Sequence, residues 1–185
     1  MFGRFFNRDR PSERIASALY GAIVAQARQP ALYSELGVPD NVSGRFEMIV
    51  LHLVLVSRRL KTAGEPARKA GQDAFDLFCN EMDNSLRELG VGDLKVPRKM
   101  REVGEAYFGR AAAYEPGLAV GDGEALAAAF GRTVFGDAVP PGTALALARY
   151  ALAAAGELNR QDEGSIVARP SFPDAARFAL EEKTA

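Results

Sequence analysis

The segment from Gly44 to Leu60 is apolar on almost every side of a helix, and this property constrains the fold more than any other in the chain. At about 3.6 residues per turn, one face of the helix collects six large side chains: Phe46, Ile49, Val50, Leu53, Val54 and Leu60. A second face carries Met48, Leu51 and Leu55. A helix that is hydrophobic all round is stable only when other elements surround it. We therefore predict that this helix is the centre of a helical bundle.

The rest of the chain supplies the surrounding helices. Ser12 and Ser43 are candidate N-caps, and proline or glycine separates the later segments. Neither strand-like alternation nor an internal repeat is visible, so we predict an all-α, single-domain bundle of about six to eight helices around the hydrophobic central helix. The predicted helices cover approximately residues 13–28, 30–36, 44–63, 65–90, 97–114, 123–135 and 143–159.

Three regions of different character follow from this pattern. Residues 1–11 form a basic aromatic N-terminal segment, and residues 12–163 form the helical domain. We predict that residues 164–185, which contain two prolines, are an extended tail with an optional short helix and loose last residues.

Composition restricts the classes of function. The chain has 185 residues, 48% of them hydrophobic, which is enough for one substantial core. The formal net charge of −1 argues against a globally basic nucleic-acid binder, so no specific nucleic-acid partner is expected. A single cysteine cannot form an intramolecular disulfide, and no secretory signal is visible, which favours a reducing cytoplasm. The longest apolar run, Met48 to Val56, is interrupted by His52 and is too short to span a membrane.

The link between the fourth and fifth predicted helices carries more ordered charge than a turn requires. Gly90 stands where a left-handed C-cap is expected, and Pro97 suits the start of the next helix. A polar row follows the outward face of the fourth helix: Asp76, Asn80, Asp83 and Arg87. After the turn and Asp93 comes a basic set: Lys95, Arg98, Lys99 and Arg101.

Two interpretations of this charge are open. Cations at a helix N-terminus are unfavourable by roughly 0.3 to 1 kcal/mol when exposed and unpaired, so a partner-binding surface would explain them. The alternative is an ordinary solvated face, in which Asp83 pairs with Arg87, Arg98 with Glu102 and Arg101 with Glu105 at i,i+4 spacing.

Three stretches resemble the ubiquinol cytochrome c chaperone family. The first is LYGAIVAQAR at residues 19–28, followed by Pro30 and Leu36-Gly37-Val38-Pro39-Asp40. The second is GRFEMIVLHLVLVSRRL at residues 44–60, and the third is FCNEMDNSLRELGVGDLKVPRKM at residues 78–100. The resemblance runs from about residue 12 to about residue 118 and is weak after Gly121.

The resemblance implies a noncatalytic chaperone. Members of that family are all-helical assembly factors for the cytochrome bc1 complex, and the mitochondrial relatives bind newly made cytochrome b. This chain resembles a bacterial version, whose expected partner is cytochrome b or its nascent chain. A small partner protein and the ribosome, with which the mitochondrial relatives work, are candidate further partners.

The resemblance also gives the displayed charges a client. The expected client-binding residues are the polar row, Asp93, the basic set, and three arginines of the central helix: Arg45, Arg58 and Arg59. A bacterial relative is expected in the cytoplasm, peripheral to the cytoplasmic face of the inner membrane.

The N-terminal segment combines aromatic and basic residues in a composition suited to an anionic membrane interface. The candidate membrane-contact residues are Phe2, Arg4, Phe5, Phe6 and Arg8. The alternatives are that these phenylalanines pack on the bundle or that the segment is disordered.

Catalytic and cofactor roles have weaker support. His52, the single histidine, lies in an apolar helix, where we predict a hydrogen-bonded neutral ring; Cys79 reads as a small buried hydrophobe. Because paired metal-ligand spacing is lacking, we predict neither a metal site nor a cofactor. An alternative is a haem- or quinone-binding helical protein in which His52 or Cys79 ligates iron. A small-molecule enzyme ranks third, since no Walker loop, Rossmann fingerprint or nucleophile elbow is present and no catalytic residue is identified.

Overall fold

The computed structural model describes residues 11–136 and 142–179, and within them it forms a helical bundle without strands. The helices are α1 (Pro11–Ala27), α2 (Pro30–Ser34), α3 (Val42–Leu60), α4 (Glu65–Glu88), α5 (Val96–Val120), α6 (Gly123–Phe130), α7 (Thr143–Arg160) and α8 (Glu163–Ala168). A π-helical turn at Gly131–Phe135 and a 3-10 turn at Ala175–Phe178 complete the described elements. The predicted all-α bundle is confirmed. None of the described helices is long and apolar enough to cross a membrane.

The central position of α3 is also confirmed. Helices α1, α4, α5 and α7 all pack against it, and every residue from Val50 to Val56 is buried. The helix begins earlier than predicted, because Asn41 rather than Ser43 is the N-cap: the Asn41 Oδ1 accepts a hydrogen bond from Gly44 N at 2.9 Å. Gly44 is needed here since a Cβ would lie 1.9 Å from the carbonyl oxygen of Pro39.

Two later helices differ from the prediction. α5 does not end near Tyr114 but continues through Pro116 to Val120. Tyr114, on one side of the proline, and Leu118, on the other, are both buried, so their packing offsets the roughly 3 kcal/mol that an interior proline costs. The single helix predicted over residues 123–135 is instead α6 followed by the π-helical turn.

The C-terminal region is more structured than predicted. Residues 163–168 form α8, and Asp162 caps it by accepting a hydrogen bond from Ser165 N at 2.9 Å. Only the residues that follow are extended. Gln161 holds them through two hydrogen bonds to the main chain of Ser171, at 2.8 and 2.9 Å, and Phe172 lies edge-on to His52. The optional short helix is the 3-10 turn.

One ion pair is built into the core side of α3. Glu47 is 3% exposed, and Arg110 of α5 binds its carboxylate through two hydrogen bonds, Nη2 to Oε1 at 2.7 Å and Nε to Oε2 at 3.1 Å. This pairing raises the pKa of Arg110, chiefly through the hydrogen bond to Glu47. The pair therefore fixes α5 against the central helix.

Breaking this pair from one side will destabilise the bundle. We expect Arg110→Met to lower the free energy of unfolding by about 3 kcal/mol, because it leaves the buried carboxylate of Glu47 without its counter-ion. The double variant Glu47→Leu with Arg110→Met should lose distinctly less. Urea unfolding followed by circular dichroism measures both, and equal losses in the two variants would show that the ion pair does not determine stability here.

Candidate functional site

The hydrophobic core thins out along the paired helices α4 and α5. We call residues 79–106 the arm; Phe78 just before it and Tyr107 just after it are buried. Within the arm, all of which the structure describes, Val96 is the one buried residue. The remaining apolar side chains of the arm's packing face are half-buried: Cys79, Met82, Leu86, Met100 and Val103. The arm is therefore a two-helix layer with much of its surface open to a partner.

A short turn of defined geometry joins the two helices of the arm. Gly90 has the left-handed φ of 80° that the sequence predicted. Its N–H donates to Arg87 O at 2.9 Å, and the N–H of Val91 donates to Leu86 O at 3.0 Å. On the other side of the turn, Lys95 N donates to the carbonyl oxygen of residue 92 at 2.7 Å. The turn is thus tied to both helices by main-chain hydrogen bonds.

Arg87 braces this turn from the polar row. Its Nε donates to Asp83 Oδ2 at 2.6 Å, which confirms the predicted i,i+4 pair, and its Nη1 contacts Asp93 across the turn. The hydrogen bond to Asp83 is the main reason that the pKa of Arg87 is raised. Asp93 is consequently held next to the end of α4, and the polar row and the turn form one continuous surface.

The other members of the polar row and the basic set are displayed. Asp76 accepts a hydrogen bond from Gln72 Nε2 at 3.0 Å and is exposed, as is Asn80. Arg98 and Lys99 both lie against Glu102, with Lys99 Nζ 2.7 Å from Oε2; the hydrogen bond from Lys99 is the largest cause of the lowered pKa of Glu102.

The remaining two cations of the basic set have no such neighbour. Lys95 and Arg101 form no ion pair within the described part of the chain, so the predicted pairing of Arg101 with Glu105 is not seen. Both side chains belong to exposed residues. The start of α5 therefore presents positive charge that its own carboxylates only partly neutralise.

The three arginines predicted on the central helix are each bound to a group outside this surface. Arg45 Nε donates to Asp40 Oδ1 at 2.7 Å, and Arg58 Nε donates to Glu115 Oε2 at 2.9 Å. Arg59 Nη2 donates to the main-chain oxygen of residue 161 at 3.1 Å. Arg58 and Arg59 stand where α3 leads into α4, and α4 has 24 residues. The neighbouring Leu60 packs beside Gly71 of α4, 17 residues before the end of that helix, so Arg58 and Arg59 are roughly 25 Å along the helix axis from the turn of the arm.

Two exposed leucines at the turn were missed by the sequence argument. Leu89 continues the helical spacing of the apolar residues Met82 and Leu86, which predicts a packing position, but it is 76% exposed because α4 ends one residue before it. Leu94 is 98% exposed and belongs to no periodic pattern. The signal that was available is an isolated leucine between a glycine-containing turn and a cluster of cations. The predicted membrane-contact residues, in contrast, lie outside the described residues.

An open cavity of about 520 Å³ lies elsewhere, beside α2. Its lining includes one carboxylate, that of Asp40, and the hydrogen bond from Arg45 lowers the pKa of this group. A carboxylate stabilised in its charged form in this way is a weak general base. The cavity therefore does not favour the enzyme alternative.

His52 is a structural residue, as predicted. Its Nδ1–H donates to Met48 O at 2.7 Å, its Nε2 accepts from the hydroxyl of Tyr150 at 2.6 Å, and that hydroxyl accepts from Gln26 Nε2 at 3.0 Å. Burial lowers the pKa of His52 from 6.5 to about 4, so the ring is neutral.

The geometry around His52 does not suit iron. Both ring nitrogens already take part in hydrogen bonds, so ligation would require Tyr150 to move away. Cys79 is half-buried rather than buried, and desolvation raises the pKa of its thiol, which disfavours the thiolate that binds metal. No group of three metal-ligating side chains occurs among the described residues. The structure gives no support to the haem-binding alternative.

Comparisons with known proteins agree on one family. The family model described as "Ubiquinol-cytochrome C chaperone" matches residues 34–172, a range that contains the whole arm. A crystal structure of the Cbp3 homolog from Brucella abortus is 36% identical in sequence and superposes with a TM-score of 0.79. That alignment covers 89% of this chain and 91% of the other. A search of curated protein sequences finds no match.

The buried His52 predicts a specific pH dependence of stability. The pKa of His52 in the folded protein, about 4, lies below the ordinary histidine pKa of 6.5. On acidification the unfolded chain therefore binds the proton first, and the free energy of unfolding decreases as the pH falls. Between pH 6.5 and about pH 5 we expect a loss of roughly 2 kcal/mol. Urea unfolding across this window measures the slope, and His52→Gln, which hydrogen-bonds but does not titrate, should flatten it. An unchanged slope in that variant would contradict the assignment.

Proposed function

Because the chain belongs to the ubiquinol-cytochrome C chaperone family, we propose that it is a noncatalytic assembly chaperone that binds newly synthesised cytochrome b during biogenesis of the cytochrome bc1 complex. The observation that carries the proposal is the family match over residues 34–172 together with the similarity to the Cbp3 homolog over most of the chain. Cytochrome b as the client comes from the resemblance to the family.

The arm is the surface that best suits client binding. It displays both signs of charge: Asp76, Asp83 and Asp93 alternate with Asn80 and Arg87, and the basic set adjoins them. Next to these charges run the half-buried apolar side chains of the packing face. A loop of a membrane-protein client, with its own mixture of charged and apolar residues, finds complementary groups on such a surface.

The exposure of these groups favours reversible capture. Charges at the solvent-exposed rim of an interface increase the association rate and make it dependent on salt concentration. They add little affinity because they stay hydrated. An assembly factor has to release its client into the growing complex. A surface of this type therefore suits temporary protection of the client better than a deep, dry pocket would.

The surface that we propose for client binding does not include all of the residues that the sequence predicted for it. Arg58 and Arg59 connect α3 with α5 and with the segment after α7, and Arg45 borders the cavity beside α2. We propose that client binding uses the polar row, Asp93 and the basic set, while these three arginines have structural roles. A cytoplasmic location next to the inner membrane, and contact with a small partner protein or the ribosome, belong to the same proposal.

A genetic test addresses the role and the surface together. We expect that deleting the gene in the native host lowers spectrally detected cytochrome b and bc1 activity, and that the wild-type gene restores both. The charge reversal Lys95→Glu, Arg98→Glu and Lys99→Glu should fail to restore them while keeping the helical circular dichroism spectrum. Capture of detergent-solubilised cytochrome b by the purified variants reports client binding without a bilayer.

The matched control is a triple reversal elsewhere. Arg132, Arg149 and Arg177 are exposed and form no ion pair within the described residues, so their replacement by glutamate changes the net charge equally. This control should restore bc1 activity. Normal cytochrome b and bc1 in the deletion strain would refute the proposed function, and full activity of the arm variant would refute the proposed surface.

A further inference from the structure

The turn of the arm exposes two leucines without benefit to the fold. Leu94 is 98% exposed and Leu89 is 76% exposed, and they lie on either side of the same short turn. Apolar side chains displayed together on a tightly held turn mark an interaction site more often than isolated surface residues do. The main-chain hydrogen bonds of the turn and the contacts of Arg87 with Asp83 and Asp93 hold the leucines in place.

The charges around the leucines are mainly positive. Lys95 follows Leu94 directly, and Arg98, Lys99 and Arg101 lie within the next two turns of α5. The first turn of α5 contains no acidic residue, and its N-terminus carries the positive end of the helix dipole. Two acidic residues adjoin the leucines: Glu88 precedes Leu89 and is exposed, and Asp93 precedes Leu94 and is bound to Arg87. The tip therefore has apolar side chains at its centre and an excess of positive charge beside them.

Other exposed apolar residues of the described chain lack this setting. Ile15 adjoins the cation Arg14 but is only 42% exposed. Val42, 83% exposed, and Val120, 79% exposed, have no unpaired cation beside them in the sequence, since Arg45 is bound to Asp40. Phe108 is 63% exposed but packs on Tyr107 with ring centroids 5.2 Å apart. The turn of the arm thus differs from these sites in combining fully displayed aliphatic side chains with cations that have no carboxylate partner.

We propose that this turn contacts an anionic lipid bilayer, with Leu89 and Leu94 entering the boundary between headgroups and acyl chains and the basic set lying against the phosphates. A turn with exposed apolar side chains and flanking lysine or arginine suits this boundary, because the headgroups are negatively charged and the acyl chains exclude water. The contact is peripheral. It adds a lipid partner to the proposed function and orients the arm so that its polar row faces a client at the membrane surface.

Vesicle binding tests this inference directly. The full chain is mixed with vesicles of phosphatidylcholine alone, or of phosphatidylcholine with phosphatidylglycerol, and bound protein is measured by sedimentation at low salt. We expect binding to the anionic vesicles only. The variant Leu89→Ser with Leu94→Ser should bind them about tenfold more weakly or worse, because two aliphatic side chains no longer leave water. The matched control Val42→Ser with Val120→Ser should bind like the wild type.

The leucine variant separates the bilayer from the other candidate occupants. Unchanged vesicle binding in this variant would overturn the inference, as would a loss that follows only replacement of Phe2, Phe5 and Phe6 by serine. Because the basic set also belongs to the proposed client surface, the leucines and not the cations are changed. If the leucine variant loses capture of detergent-solubilised cytochrome b, the leucines bind the client and the bilayer assignment is wrong.

The two proposals can fail independently. Leucine-dependent vesicle binding in a protein whose deletion leaves bc1 assembly intact would refute the chaperone role and keep the lipid contact. Client capture in detergent without any vesicle binding would do the reverse.

Discussion

Enclosing α3 is the requirement on which the rest of this structure depends. The helix is buried from Val50 to Val56, so helices must cover it on all sides, and the chain uses α1, α4, α5 and α7 for this. Burial also determines how the polar residues of α3 behave. Glu47 is stable in this position because Arg110 reaches it from α5. His52 is stable because Met48 and Tyr150 satisfy its two ring nitrogens, and Gln26 in turn donates to the hydroxyl of Tyr150. Polar groups in this core are connections between helices.

Helices α4 and α5 are longer than is needed to cover α3. Both helices bury side chains in the core as far as Phe78 and Tyr107; beyond these residues Cys79, Met82 and Val103 still pack against the core but are only half-buried. That division leaves the outer ends of α4 and α5, which we propose bind the client, less buried than the rest of the domain. The exposed part needs no core of its own, because Val96 and the braced turn keep the two helix ends together.

Two kinds of sequence pattern were sufficient to predict much of this fold: the distribution of apolar residues around a helix, and single residues that end a helix. The apolarity of residues 44–60 predicted the central helix, and Gly90 predicted the left-handed end of α4. The tail was harder: α8 has six residues and one buried side chain, Ile166, which is too little periodicity to detect. Likewise the continuation of α5 past Pro116 depends on packing around Tyr114, which local propensity does not contain.

The candidate surface was predictable in part for the same reason. Asp83 and Arg87 are one helical turn apart, so their pairing follows from spacing. Arg58 and Arg59, by contrast, find partners 57 and 102 residues away, and no local rule says which distant group will face a charge. Leu89 shows a third limit, since a periodic pattern does not reveal the residue at which a helix stops.

The hydrogen-bond chain at His52 has a consequence for how the protein is made. Tyr150 lies 98 residues from His52 and 124 residues from Gln26, and Phe172 closes the same region from the end of the described chain. Contacts between such remote segments raise the contact order and slow folding. During vectorial synthesis the core around His52 stays open until nearly the whole chain has left the ribosome. A protein that we propose protects an incompletely assembled client is thus itself incompletely folded for most of its own synthesis.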